Sequence, residues 1–303
     1  MKKRRHHYVW RNYLRPWATN EQIWCLRESA YFITNLMNIG QEIDFYKLKE
    51  LSKESIEFIR KLAIDPLPKP LQKLNKGWID IFNLVFKIQE YTDKKGIKNQ
   101  ELDEMLDEYI HNLEEDLHTS IENSSVKFLE AILDENLSFY ENDDDCMEFM
   151  HFICVQYMRT NNIKQKVIVA TQQSKLIDIK DIWNVLTHIF ATSMGWSLFS
   201  DRNSFRLVLL KNSTEVDFIT GDQPIINTHV TRTKKFEPIT ELELYYPVSP
   251  KLAILMTKND SLARGEKVEL SVSEVEKYND QIFKQSHSQI YAKSRSDLEK
   301  YLV

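Results

Sequence analysis

Residues 6–14 read His-His-Tyr-Val-Trp-Arg-Asn-Tyr-Leu, and residues 218–224 read Phe-Ile-Thr-Gly-Asp-Gln-Pro. Each stretch joins β-forming residues to polar groups that can bind a metal or move a proton. Because the stretches lie near opposite ends of a 303-residue chain, a site that uses both of them requires the two ends to meet. They therefore decide the fold that we predict.

The pattern around these stretches predicts strands, then many helices, then strands again. Residues 12–18 and 22–27 alternate enough to be strands, and the turn-like residues 19–21 between them predict a hairpin. Apolar residues at helical spacing predict helices at 41–63, 78–91, 101–121, 126–140, 146–159 and 179–198. Short β-rich segments predict strands at 205–210, 216–220, 242–246, 252–256, 267–272 and 288–292, with a helix at 273–286.

This order of elements predicts one α+β domain over residues 1–303. A lone hairpin is marginally stable in water, and the C-terminal strands offer the nearest sheet edge. We therefore predict a mixed or antiparallel sheet built from the N-terminal hairpin and the C-terminal strands. The predicted parts are N-terminal strands at 1–30, a large helical insertion at 41–200, and a C-terminal sheet and helix at 201–303.

The net charge of -5 hides a division along the chain. Residues 101–148 carry 17 acidic side chains and one basic one, a local charge of -16, so the remainder sums to +11. The first 20 residues hold six basic side chains and no acidic one. The commoner explanation is a solvated acidic helix face beside a basic tail. The alternative is a basic body that attracts phosphate while the acidic segment faces elsewhere or restrains it.

The composition excludes several classes of protein. No apolar run approaches the ~18 residues of a membrane span, and the basic N-terminus lacks the apolar stretch of a signal peptide, so we predict a cytoplasmic protein without a membrane partner. Cys25, Cys146 and Cys154 form no spaced framework and are expected to be buried thiols. The sequence has no cysteine pair at zinc spacing, no phosphate-binding glycine loop and no His-Glu-x-x-His motif.

Five residues are candidates for a catalytic site: His6, His7, Gln156, Arg159 and Asp222. Adjacent histidines on a strand point to opposite faces, so one of the pair would enter a site while the other packs. Asp222 follows an apolar strand, which suits either a metal or catalytic carboxylate or a turn. Gln156 and Arg159 share a helix face, where they make structural hydrogen bonds or Arg159 binds a phosphate.

The other histidines carry weaker signals. His111 and His118 belong to the acidic helix, lie seven residues apart rather than four, and are expected on the surface. His151 and His188 lie among apolar residues and are expected to be core histidines with their hydrogen bonds made.

The chain resembles a largely bacterial family known only as domain of unknown function 4238, and the resemblance runs from His6 to about Ala292. The family's opening signature, His-His-Tyr-Val-Pro-x-x-Tyr-Leu, is matched by His6, His7, Tyr8, Val9, Tyr13 and Leu14, with Trp10 at the proline. A middle signature, Phe-Ile-x-x-Gln-x-x-Arg-Thr-Pro, is matched by Phe152, Ile153, Gln156, Arg159 and Thr160, with Asn161 at the proline.

A late signature of the family, Phe-Ile-Thr-Ser-Asp-x-Pro, resembles residues 218–224, with Gly221 at the serine. Pro247-Val248-Ser249-Pro250 and Asn279 fit further family positions. The resemblance implies that the five candidate residues belong to one shared constellation. It implies no activity.

Two functional hypotheses follow. The first is a metal-dependent phosphodiester hydrolase, a nuclease-like effector of the kind used as a toxin or in phage defence. In it Asp222 and His7 hold Mg²⁺ or Mn²⁺, and Arg159 holds a phosphate of a nucleic acid or nucleotide. The alternative is a non-catalytic module that binds a ligand, or a protein partner through the acidic helices of residues 101–148. An enzyme acting on nucleotides such as NAD is a third hypothesis, which no phosphate loop supports.

Overall fold

Helices form the middle of the chain and strands form most of its two ends. The computed structural model describes residues 1–171, 177–230 and 241–302. The strands are β1 Arg5–His7, β2 Gln22–Arg27, β3 Ala30–Asn35, β4 Gln41–Ile43, β5 Arg206–Lys211, β6 Thr220–Gly221, β7 Ile226–Asn227, β8 Leu244–Pro247, β9 Leu252–Thr257, β10 Lys267–Glu269 and β11 Gln289–Ala292. The helices are α1 Arg11–Leu14, α2 Lys53–Ile59, α3 Lys69–Lys95, α4 Gln100–Leu133, α5 Asp143–Met158, α6 Asn161–Thr171, α7 Ile179–Ser200, α8 Val272–Gln285 and α9 Ser296–Glu299. With 54% helix and 16% strand, the α+β class is confirmed.

The N-terminal hairpin joins the C-terminal strands, as the sequence predicts. One sheet has the order β3-β2-β11-β6 and is antiparallel throughout. Leu26 of β2 lies opposite Ile290 of β11, and Tyr291 of β11 lies opposite Thr220 of β6. A second sheet has the order β10-β5-β9-β8-β7, in which only the β10–β5 pair is parallel. The two ends of the chain therefore share one sheet.

The N-terminal hairpin is formed by β2 and β3, a pair that comes later in the sequence than the predicted pair of strands. Residues 12–18 are not a strand: α1 runs into a 3₁₀ turn at Arg15–Trp17, where Pro16 supplies a helical φ. Tyr13 and Trp17, four residues apart, are buried on one side, which is a helical spacing. The hairpin is β2–β3, and its turn residues Glu28 and Ser29 both have left-handed φ angles, as the tight two-residue turn requires.

The predicted helix at 41–63 is also wrong over its first half. β4 begins that segment and pairs with β1 in a two-stranded ribbon, so that Arg5 lies opposite Ile43. The helix starts only at Lys53, because Ser52 accepts a hydrogen bond from the backbone of Ser55 and caps it. The strand that carries His6 and His7 therefore belongs to neither large sheet.

The long helix α4 carries a buried polar stripe. It covers 34 residues, and the polar side chains that it buries are His111, Asn112, Glu114, His118, Glu122 and Ser125. Apart from Asn112, these residues recur at intervals of three or four, so they form one face of the helix. Burial of such a face requires partners from the neighbouring elements. No described helix is long and apolar enough to span a membrane.

Residues 8–17 connect the helical part to the sheets. The backbone amides of Tyr8 and Val9 both donate to the carbonyl of Gly40. The Tyr13 hydroxyl lies 2.6 Å from the Thr220 hydroxyl. The Trp17 indole donates to the carbonyl of Phe218 at 2.7 Å. The opening signature is therefore held by the late one through buried hydrogen bonds.

Replacing Gly40 with alanine tests this attachment. Gly40 has a left-handed φ of +58°, and an added Cβ would lie 2.8 Å from the Cβ of Val9. We expect Gly40→Ala to lower the free energy of unfolding by about 2–4 kcal/mol. Gly96 is the matched control because its φ is +64° but nothing lies within 4 Å of its added Cβ. Gly96→Ala should lower it by only about 1 kcal/mol. Equal losses in urea unfolding would show that Val9 does not pack against Gly40.

Candidate functional site

His6 is a structural histidine in this fold. Its imidazole is fully buried, and Nδ1 accepts a hydrogen bond from the backbone amide of Tyr46 at 2.8 Å. Nε2 therefore carries the proton and donates to the carbonyl of Lys3 at 2.9 Å. Burial lowers the pKa of His6. Since both ring nitrogens are engaged, this imidazole fastens β1 to residue 46.

Arg159 lies at the C-terminal end of α5 and is also fully buried. Its Nε donates to the carbonyl of Tyr8 at 3.0 Å, and Nη2 lies 2.5 Å from a carboxylate oxygen of Glu122. Gln156 shares the helix face of Arg159, and its side chain also lies beside the Glu122 carboxyl. The guanidinium is thus paired with a protein carboxylate in the interior, although Nη1 and Nη2 make no hydrogen bond of good geometry.

His7 and Glu115 extend this buried polar region. The Nε2 atom of His7 and one carboxylate oxygen of Glu115 are buried without a hydrogen-bond partner. Burial lowers the pKa of His7 to about 4, and the nearby charges of Arg11 and Arg159 add to the effect. Burial raises the pKa of Glu115 to about 7, against the attraction of Arg159. His7 is therefore a neutral imidazole at neutral pH.

Asp222 binds backbone amides at the end of α8. Its carboxylate accepts hydrogen bonds from the backbone amides of His287, Ser288 and Gln289 and from the Ser288 hydroxyl, at 2.7–3.0 Å. Burial raises the pKa of this carboxyl, while these donors oppose the rise. Four donors fill most of the acceptor capacity of a carboxylate. These donors lie 65–67 residues along the chain and not in the turn at 221–224, so Asp222 joins two distant segments.

Contacts in the structure link three of the five predicted residues. Gln156 and Arg159 meet around Glu122, with His7 near them. The hydrogen-bond partners of Asp222 in the described chain all lie at 287–289. A metal ion shared by Asp222 and His7 finds no support in this arrangement, because β1 pairs with β4 beside α4 and not with β6.

A different cluster has the composition of a metal centre. Glu114 and His118 lie one turn apart on α4, and His188 approaches from α7. Oε1 of Glu114 lies 3.4 Å from Nε2 of His188 and 3.7 Å from Nε2 of His118. One ligand atom from each of the three residues lies within 4.8 Å of the other two. The exposed fractions are 1% for Glu114, 2% for His118 and 0% for His188.

Most polar atoms of the cluster are buried without a hydrogen bond to the protein. Five buried atoms of the cluster have no hydrogen-bond partner: both ring nitrogens of His118, both of His188, and Oε2 of Glu114. Oε1 of Glu114 is the oxygen that faces the two imidazoles. An N–H···O bond spans about 2.7–3.2 Å, so the 3.4 Å and 3.7 Å separations are too long. A tetrahedral ion with bonds of about 2.0–2.2 Å separates its ligands by about 3.4 Å. The distances therefore suit ligands around a cation better than groups bonded to one another.

The protonation states also suit a cation. Burial lowers the pKa of His118 to about 3, so this imidazole is neutral and can act as a ligand. Burial opposes ionisation of Glu114, but the two imidazoles outweigh it and lower its pKa. Aromatic rings line the cluster: Trp78 stacks 4.6 Å from His188, and Tyr46 lies 4.6 Å from His118 between ring centres.

The sequence prediction missed this cluster for two reasons. The expectation that His111 and His118 lie on the surface is wrong, since both are buried. His188 is buried as predicted, but its hydrogen bonds are not made. The available signal was Glu114-x-x-x-His118, a carboxylate and an imidazole at i, i+4 on one helix face. Distance along the chain concealed the third member, on α7.

The basic N-terminus is neutralised within the molecule. Its first lysines and arginine lie against acidic side chains, most of them on α4. These ion pairs are Lys2–Asp107, Lys3–Asp116 and Arg4–Asp44. In the acidic segment, Lys127 pairs with Asp145 and Glu148. The segment therefore restrains the basic tail, and the predicted nucleic-acid partner gains no support.

Comparison with known proteins gives the family. A family model described as "Protein of unknown function (DUF4238)" matches residues 5–296, which is nearly the whole chain. The chain therefore belongs to this family. Neither the curated proteins nor the solved structures gave a match. The family relationship accordingly brings no activity with it.

Replacement of Asp222 should destabilise the fold. Asp222→Ala leaves the backbone amides of His287, Ser288 and Gln289 without their acceptor, and we expect a loss of about 2–4 kcal/mol in the free energy of unfolding. Asp222→Asn keeps one acceptor oxygen and should lose less. Asp260, an exposed loop residue, supplies the control Asp260→Ala, which should change little. Unchanged stability of Asp222→Ala in urea unfolding would show that Asp222 does not hold residues 287–289 in place.

Glu115 should make stability depend on pH. Its pKa is about 7 in the folded chain and 4.5 ordinarily, so the folded state holds the proton more tightly. Stability from this group is complete below the ordinary pKa and declines as pH rises through 7. Between about pH 5 and 8 we expect a loss of roughly 1–3 kcal/mol.

The comparison with Glu115→Gln isolates this loss. The depressed pKa of His7 has the opposite effect, since it adds stability as pH rises from about 4 toward 6.5. The difference between wild type and Glu115→Gln cancels that contribution. The two proteins should therefore diverge in urea unfolding as pH rises, and parallel pH profiles would contradict the assignment.

Proposed function

We propose that this protein binds one divalent transition-metal ion between Glu114, His118 and His188. The observation that carries the proposal is the set of unpaired ring nitrogens on two fully buried histidines that face one carboxylate. Buried polar groups without partners are rare in folded proteins. An ion at this position would give one nitrogen of each imidazole and the carboxylate a partner.

The ligand types select the metal. Two imidazole nitrogens and one carboxylate oxygen suit Zn²⁺ and its first-row neighbours, whereas Mg²⁺ prefers oxygen ligands and several waters. We therefore propose Zn²⁺ rather than the Mg²⁺ or Mn²⁺ expected from the sequence. The ion would cross-link α4 to α7, and it would add its binding free energy to the stability of the fold.

Burial favours the non-catalytic class of function. Hydrolysis of a phosphodiester requires the substrate to reach the metal, and the three ligand side chains are at most 2% exposed. The Arg159 guanidinium, which the first hypothesis assigned to a phosphate, is paired with Glu122. These contacts support a metal that stabilises a binding module over a metal that activates water.

Metal binding can be measured directly. The protein is unfolded with a chelator, refolded with or without Zn²⁺, and analysed for metal content and melting temperature. We expect one ion per chain and a gain of about 2.7 kcal/mol when free Zn²⁺ is a hundred times the Kd. Co²⁺ in its place should give the visible absorption of a tetrahedral centre.

His188→Leu is the informative variant. It removes a ligand and leaves an apolar side chain among Trp78 and Phe82, which already contact His188. The apo-protein should stay folded, while Zn²⁺ no longer raises its melting temperature. His111→Gln is the control, because His111 is a buried histidine of the same helix outside the cluster. No bound ion in a folded wild type, or normal binding by His188→Leu, would overturn the proposal.

A further inference from the structure

One face of α3 is apolar and exposed. The residues on it are Leu74, Ile81, Leu84, Ile88 and Tyr91, each with between 36% and 59% of its surface in solvent. We call these five residues the α3 stripe. The opposite face of the same helix is buried through Asn75, Ile79, Phe82 and Val85. The apolar composition of residues 78–91 predicts a helix buried on nearly every side, and the exposed face shows that this prediction is wrong.

The spacing of the α3 stripe follows a heptad repeat. Leu74, Ile81 and Ile88 lie seven residues apart, and Leu84 and Tyr91 fill the second apolar position of the repeat. The missing member of that second position is Gly77, where an added Cβ would meet nothing within 4 Å. The stripe extends about 26 Å along the helix. This is the seam with which one helix packs along another.

Two charged residues beside the seam would face residues of opposite charge in a second copy of the chain. Asp80 and Lys87 occupy equivalent positions of successive heptads, and both are well exposed. Within one helix, Nζ of Lys87 lies 3.3 Å from Oδ1 of Asp80, an exposed ion pair that can exchange its partner for that of a second copy at little cost. In an antiparallel pair of α3 helices related by a two-fold axis, Ile81 would lie beside Leu84 of the second copy. The same register would place Asp80 beside Lys87 of the second copy, twice.

The rest of the register is also compatible with packing. Leu74 would lie beside Tyr91 of the second copy, and Gly77 would leave room for Ile88 of the second copy. The outer residues Lys73 and Lys94 would approach each other, but Lys94 already pairs with Glu90 in its own helix at 2.5 Å. Every large member of the stripe thus finds an apolar partner.

We propose that the α3 stripe binds a second copy of this chain, as an antiparallel helix pair about a two-fold axis. The heptad spacing and the two crossed Asp80–Lys87 pairs are self-complementary in this register. Both features therefore favour a second copy of this chain as the partner. The interface is a single helix pair, so association is reversible and depends on concentration. This inference is independent of the proposed metal centre.

Sedimentation equilibrium over micromolar concentrations tests the proposal. We expect the wild-type mass to rise from one chain to two, and Leu84→Glu to stay at one chain with an unchanged melting temperature. Met147, on α5 and 42% exposed, supplies the control Met147→Glu, which should dimerise like wild type. A wild type that stays at one chain throughout, whether or not it binds lipid vesicles, would overturn the proposal.

Charge exchange tests the orientation. Asp80→Lys should weaken the dimer about fivefold, because it makes both crossed pairs repulsive. The double variant Asp80→Lys with Lys87→Asp should recover the wild-type dimer, since the pairs are again opposite in sign. Failure of the double variant to recover would contradict the antiparallel register.

Discussion

The buried guanidinium of Arg159 is the constraint on which the arrangement of the chain depends. A charge in the interior is unfavourable unless a carboxylate and hydrogen bonds compensate it. Glu122 supplies the carboxylate from α4, and the carbonyl of Tyr8 supplies an acceptor from the N-terminal segment. Three distant parts of the chain must therefore meet at one point. Next to Arg159 in sequence, Thr160 is hydrogen-bonded to Gln223, which brings the late segment to the same end of α5.

Several polar residues of the family signatures make structural hydrogen bonds in this fold. His6, Arg159, Asp222 and Asn279 all bind backbone groups: Asn279, for example, accepts from the amide of Ile219 and donates to the carbonyl of Asp217. A polar side chain that satisfies backbone groups of a distant segment fixes that segment in place. The same residue types in the same order can therefore maintain a fold without forming an active site.

The sequence predicted the pairing of the two ends because a hairpin needs a sheet edge and only the C-terminal strands provide one. It did not predict α1, since residues 12–18 alternate like a strand while Pro16 and the buried pair Tyr13 and Trp17 favour a helical turn. The polar interior was harder to predict. The charge pattern indicated a solvated face for α4, but residues 111–125 turn polar groups inward. There His188, which lies on α7 and 70 residues after His118, completes the cluster. Periodicity gives a helix its faces but does not say which face is covered.

Hydrogen bonds to the protein do not satisfy the buried polar atoms of Glu114, His118 and His188. Their ligand types suit a metal ion. The most direct measurement is anomalous X-ray scattering from crystals grown with Zn²⁺, with data on both sides of the zinc absorption edge. We predict one anomalous peak at bonding distance from Oε1 of Glu114 and one nitrogen of each histidine. Absence of that peak, with the imidazoles donating directly to Glu114, would contradict the account.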